Sequence, residues 1–123
     1  MAKVIPVDAS THVFDIHRDL SVQLRQPEPG PPKRIDGMTV GFLTITGDPP
    51  HNGEMHPDGD EILIVVSGRV RVMSDSDPDA EVILGPGQAC VVTKGEWHKV
   101  SVLEETQLVH ITPGPNGDHR PLT

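Results

Sequence analysis

Basic residues, aromatics and cysteine are all scarce in this chain, and each shortage removes a class of protein. Ten lysines and arginines face eighteen aspartates and glutamates, a formal net charge of −8. A nucleic-acid binder needs a basic surface to meet phosphates, so that class is excluded. The single cysteine, Cys90, permits no internal disulfide, which suits a reducing compartment and points to the cytoplasm. It sits in the apolar run Ala89-Cys90-Val91-Val92 with no cation beside it, and reads as a small buried hydrophobe rather than a nucleophile. No apolar stretch approaches the ~20 residues of a membrane-spanning helix, and the first residues lack the basic-then-apolar pattern of a secretion signal. With two Phe, one Trp and no Tyr, the core has to be built from Val, Ile and Leu, which favour pleated surfaces.

What is present is punctuation. Thirteen prolines and twelve glycines are scattered through 123 residues, between apolar runs too short for helices. Val4 to Val7 and His12 to Ile16 are β-like but lack an evident partner, and are expected to form an arm that reaches a second subunit. Leu20 to Leu24 alternates apolar and polar, and Pro27 to Pro32 is a loop. Met38 to Thr46 reads as a strand. Ile62 to Val66 is apolar at every position, as expected when both faces are covered. Further strands are expected around Arg69 to Val72, Glu81 to Leu84, Gln88 to Thr93, His98 to Leu103 and Gln107 to Thr112, with loop from Pro113. Arg69 and Arg71 read as outward charges that discourage edge pairing. No helical repeat is sustained. Turn signals every eight to twelve residues indicate an all-β barrel or sandwich.

Chemistry concentrates in two places. In Gly53-Glu54-Met55-His56, alternation puts Glu54 and His56 on one face of an extended chain. The turn Pro57-Asp58-Gly59-Asp60 then brings Glu61 back toward them. Far along the chain, His98 opens a strand whose other inward residues are Val100 and Val102. Two imidazoles and one or two carboxylates on one face suit a divalent transition ion. His51 is the alternative to Glu54 as first donor; its parity is wrong for a straight strand, so it would need a bulge at Asn52-Gly53. Asp58 and Asp60 read as turn formers. Trp97, Val100, Val102 and His110 are expected to wall the pocket, while His12, His17 and His119 lie near the termini, in solvent.

The two segments resemble the paired signature segments of the cupin superfamily. There the first runs His, any, His, three or four residues, Glu, six residues, Gly; here it is Glu54, Met55, His56, four residues, Glu61, six residues, Gly68. The second runs Gly, five residues, Pro, any, Gly, two residues, His, three residues, Asn. In this chain it is Gly87, five residues, Thr93, Lys94, Gly95, two residues, His98, three residues, Val102. Glu54, Thr93 and Val102 depart from the pattern. The resemblance implies a single-domain jelly roll, or double-stranded β-helix. Residues 38–112 would form the barrel, 1–37 an arm with edge strands and 113–123 a tail. It also implies that His56, Glu61 and His98 ligate a metal, and a homodimer is the default assembly. With Glu54 as an oxygen donor, the set is hard and anionic, favouring iron, manganese or zinc over copper.

Two functional classes follow. One is a metal-dependent enzyme acting on a small oxygen-rich molecule, of dioxygenase, isomerase, lyase or decarboxylase type. The other is a non-catalytic module that binds or senses a small ligand, with or without metal; a barrel with a degenerate site is the remaining alternative.

Overall fold

Turn formers cut the apolar runs into lengths that only strands can use, and the computed structural model, which describes residues 3–122, contains no helix among them. The strands are β1 (Val13–His17), β2 (Val22–Arg25), β3 (Gly37–Ile45), β4 (Glu54–Met55), β5 (Glu61–Ser67) and β6 (Val70–Ser74). They continue with β7 (Val82–Leu84), β8 (Ala89–Val92), β9 (His98–Val102), β10 (Thr106–Gly114) and β11 (Asp118–His119). A six-stranded sheet runs β2-β1-β3-β10-β5-β8, and a five-stranded sheet runs β11-β4-β9-β6-β7. All pairings are antiparallel. The barrel expected from the sequence is thus two packed sheets that do not close on each other.

Three local expectations change. Val4 to Val7 forms no strand, and Val4 and Ile5 are 86% and 68% exposed. The run ending at Ile16 finds partners within its own chain, where β1 pairs with β2 and β3. The supposed tail loop begins inside β10 and carries β11, which pairs with β4. Met1, Ala2 and Thr123, the ends of the expected arm and tail, lie outside the described residues.

Between the sheets the interior is divided by polarity. One end is apolar, built from Leu63, Val65, Val70, Val72, Leu84, Val92 and Leu108. The other end is a polar layer across the larger sheet, where buried Asp15, Thr39, Thr112 and Glu61 follow one another on neighbouring strands. Asp15 accepts two hydrogen bonds from Arg25 (2.7 and 3.0 Å) and one from the Thr39 hydroxyl (2.7 Å), so that its buried charge is matched. At the turn after β5, Gly68 adopts φ +88°, and a side chain there would strike the Glu105 carbonyl.

The outer face of the larger sheet is apolar. Phe42, Val109 and Ile64 form one row across three strands, and Val40, Ile111 and Ile62 the next. The run Ile62 to Val66 is therefore covered on one side only within a single chain: Leu63 and Val65 are buried, and Val66 is 46% exposed.

Candidate metal centre

Local geometry carries the donors to one point. β4 pairs with β9 so that Glu54 lies directly opposite His98, which puts both side chains on the same inner face. His56 follows two residues after Glu54. The turn at 57–60 then returns the chain to Glu61, the first residue of β5 on the facing sheet. That turn is anchored at both acidic residues. Asp58 accepts from the Asn116 backbone and side-chain amides (2.5 and 3.2 Å), and Asp60 accepts from the Lys94 N–H (2.7 Å). Gly95 N–H also donates to the His56 carbonyl (3.0 Å). Asp58 and Asp60 are committed to the turn, which leaves the two glutamates free.

Glu54, His56, Glu61 and His98 each offer one donor atom to a group in which all four atoms lie within 4.8 Å of one another. His98 Nε2 is 3.0 Å from Glu61 Oε1, and His56 Nε2 is 3.3 Å from Glu61 Oε2. Glu54 Oε1 stands 3.6 Å from both imidazoles. His98 Nδ1 lies 3.2 Å from the Glu96 carbonyl, which accepts its N–H and turns Nε2 inward. His56, His98 and Glu61 are buried, while Glu54 keeps some contact with solvent. Both ring nitrogens of His56 are buried without a hydrogen-bond partner. A buried polar atom left unpaired is costly, so Nε2, facing two carboxylates, calls for a cation.

The electrostatics say the same. Burial opposes charge on His56 and His98, but the adjoining Glu54 and Glu61 carboxylates outweigh it and raise them to about 9 and about 10. Burial likewise opposes ionisation of Glu61, yet the adjoining His56 and His98 imidazoles draw it down to about 2. Glu54 is held well below the usual carboxylate range against its own burial, by the same two imidazoles. Absent a metal ion, protons supply the positive charge that this cluster demands.

Behind the donors runs a relay. The Thr112 hydroxyl donates to Glu61 Oε2 (2.7 Å), and His110 Nδ1 is 2.8 Å from the same hydroxyl. A carboxylate only accepts, so the threonine gives it its one proton and takes the N–H of His110 on a lone pair. Burial, then the charge of Arg34, lowers His110 to about 4 and keeps it neutral. Its Nε2 rests against Gly41, where any side chain would collide with the ring.

Of the remaining residues singled out in the sequence, His51 stays outside the four-donor group. The chain does turn at Gly53 (φ +118°), but His51 Nδ1 accepts from the Gly53 N–H (3.1 Å) and Nε2 is 3.7 Å from Glu54 Oε2. Trp97 lies under the Arg120 guanidinium, 4.0 Å from ring centroid to Cζ, and Val100 packs on the apolar core. Val102 pairs with Val70. A cleft of about 190 Å³ beside β7 and β8 reaches His98, but Trp97, Val100, Val102 and His110 do not line it. Val100 belongs to the core, and His110 bears on Glu61 through Thr112. Two polar residues near the site, Thr112 and Arg34, carried no signal as single letters. The alternation of Thr106, Leu108, His110 and Thr112 was the only pointer to the first.

Two packed antiparallel sheets with a His and Glu cluster between them define a small jelly-roll protein with a candidate metal centre. The Cupin domain family matches residues 46–112, and the chain belongs to that family. Among solved structures, a cupin-2 domain containing protein from Shewanella frigidimarina is similar at 25% identity, over 66% of this chain and 74% of that one, with a TM-score of 0.53. A cupin superfamily protein from Desulfitobacterium hafniense is similar at 16% identity, over 67% and 72%, with a TM-score of 0.54. Protein NMB1881 from Neisseria meningitidis is similar at 22% identity, over 72% and 84%, with a TM-score of 0.52. A comparison with curated proteins found no match. Among the described residues no helix is long and apolar enough to cross a membrane.

Proposed function

We propose that this cupin holds one divalent transition ion (manganese, iron or zinc) on Glu54, His56, Glu61 and His98, and acts on a small oxygen-rich molecule. The observation that carries the reading is His56, buried, unpaired at both ring nitrogens and aimed at two carboxylates. Two carboxylates with two imidazoles make a hard, anionic set suited to these ions. When bound, such an ion polarises a carbonyl or activates water or dioxygen, the chemistry shared by dioxygenases, isomerases, lyases and decarboxylases. The chain's own part is positioning. Thr112 and Glu96 orient Glu61 and His98, and the apolar half of the interior keeps water from the far side of the cluster.

Metal analysis of protein purified without a nickel column tests this. One ion per chain is expected, lost in His98→Ala; equal trace metal in both would remove the reading. A second reading, a binding module, is favoured by His110, the buried histidine outside the donor group, which is neutral and bonded to Thr112 rather than free to move a proton. Oxygen uptake and product analysis on diols, catechols and oxo acids separate the two. Tight binding without turnover selects the module.

Assembly belongs to the same proposal. The apolar outer face of the six-stranded sheet spans strands about 4.8 Å apart and about five residues long, a flat footprint of roughly 500 Å². That is at the upper end of what a monomer leaves open, and its protruding side chains approach the ~800 Å² a side of a stable interface. A second copy, contributing the same face about a twofold axis, is the occupant proposed. Sedimentation should give a dimer, and Val109→Arg, at the centre of the face, should give a folded monomer. A monomeric wild type would rule this assembly out.

A further inference from the structure

The segment between β2 and β3 leads to an arginine that forms no ion pair among the described residues. Arg18, Arg25, Arg71 and Arg120 pair with Asp36, Asp15, Glu81 and Asp75, and Arg69 is exposed. Arg34 is half-buried, and among the described residues it has neither a carboxylate partner nor a side-chain hydrogen bond. Its place is built. Arg25, locked bidentate onto buried Asp15, donates through Nη2 to the Lys33 carbonyl (3.1 Å) and so fixes the residue before Arg34.

The position of Arg34 follows from Gly114. Inward-facing residues of β10 are Thr106, Leu108, His110 and Thr112, and Gly114 is next in that alternation. A Cβ at Gly114 would meet the Arg34 Cβ at 2.5 Å and the Ile35 carbonyl at 2.5 Å. The missing side chain therefore makes room for Arg34, one step beyond the Thr112 and Glu61 layer. From there Arg34 feels the charges of Glu54 and Glu61, and its own charge bears on His110. A half-buried guanidinium without a counter-ion is open to an anion, and its planar fork is shaped for a carboxylate. Charge counting gives the same answer. A divalent ion cancels the two glutamates, and Arg34 leaves the pocket one positive charge in excess.

We propose that Arg34 is the specificity-determining residue of this site, anchoring the carboxylate of a small oxo or hydroxy acid. This rests on the metal reading above. The acid's carboxylate meets the guanidinium, while its adjacent oxygens turn toward the donor cluster.

Calorimetric titration of metal-loaded protein tests the proposal with pyruvate and lactate against their uncharged counterparts, hydroxyacetone and propylene glycol. Wild type should bind the acids at least about tenfold more tightly than the neutral compounds, and Arg34→Gln should erase that preference. Arg34→Lys, which keeps charge and stem but loses the fork, should retain only part of it, and it carries the test if the glutamine variant does not fold. A wild type without preference for the acids, or a full preference surviving in either variant, overturns the assignment. Metal content measured on each sample separates the failures. An ion retained without acid preference sinks the role of Arg34 alone, whereas a wild type that binds no ion sinks both readings.

Discussion

Glu61→Gln is expected to lower metal affinity by more than about a hundredfold while leaving the two sheets folded. The side chain is 2% exposed and is the only donor that approaches both imidazoles closely, at 3.0 Å to His98 and 3.3 Å to His56. Glutamine keeps its shape and the bond from Thr112, but removes one of the two negative charges that a divalent ion would meet. Thr112→Val is the graded companion. It leaves all four donors in place and removes only the hydroxyl that fixes Glu61 Oε2, a change worth about ten- to a hundredfold in comparable sites. Competition with a fluorescent chelator measures both. If Glu61→Gln retained the ion as tightly as the wild type, Glu61 would be a bystander to Glu54 and the histidines.

The parts of this site visible in the sequence are those fixed by local rules. Alternation alone put Glu54 and His56 on one face, and the Pro-Asp-Gly-Asp turn brought Glu61 round. The pairing of Glu54 with His98 lies beyond such rules, and there the spacing shared with cupins filled the gap. What stayed hidden depends on contacts between distant residues. Thr112 is 51 positions from the carboxylate it orients, and a threonine in a strand looks like any other β-former. Arg34 follows a proline-rich loop whose course is set by Arg25 gripping the Lys33 carbonyl, a contact with no sequence pattern. The run Val4 to Val7 has strand composition but no partner edge, which is why composition misled there. The outer sheet face was half legible: continuous apolarity in Ile62 to Val66 announced two covered faces, and a single chain covers one.

Acidity should separate the metal-free and metal-loaded proteins in opposite directions. In the metal-free protein the glutamates raise His56 to about 9 and His98 to about 10 against the effect of burial. Folded values above the unfolded value of about 6.5 mean that these histidines stabilise the fold fully below pH ~6.5, and that the contribution fades as pH climbs toward 9 and 10. Glu61, drawn down to about 2, contributes above its ordinary value of 4.5 and loses that contribution as pH falls toward 2. The metal-free protein should therefore melt highest between pH ~4.5 and ~6.5 and lose stability on the alkaline side. An ion needs both imidazoles deprotonated, so between pH 6 and 8 each ion bound should release about two protons, and apparent affinity should rise about a hundredfold per pH unit. Melting with chelator and with manganese, and titration in two buffers of different ionisation enthalpy, measure the two trends. Release of less than one proton per ion would mean that the histidines were already neutral. The cluster would then hold no proton for an ion to displace, and the assignment of positive charge to its imidazoles would fail.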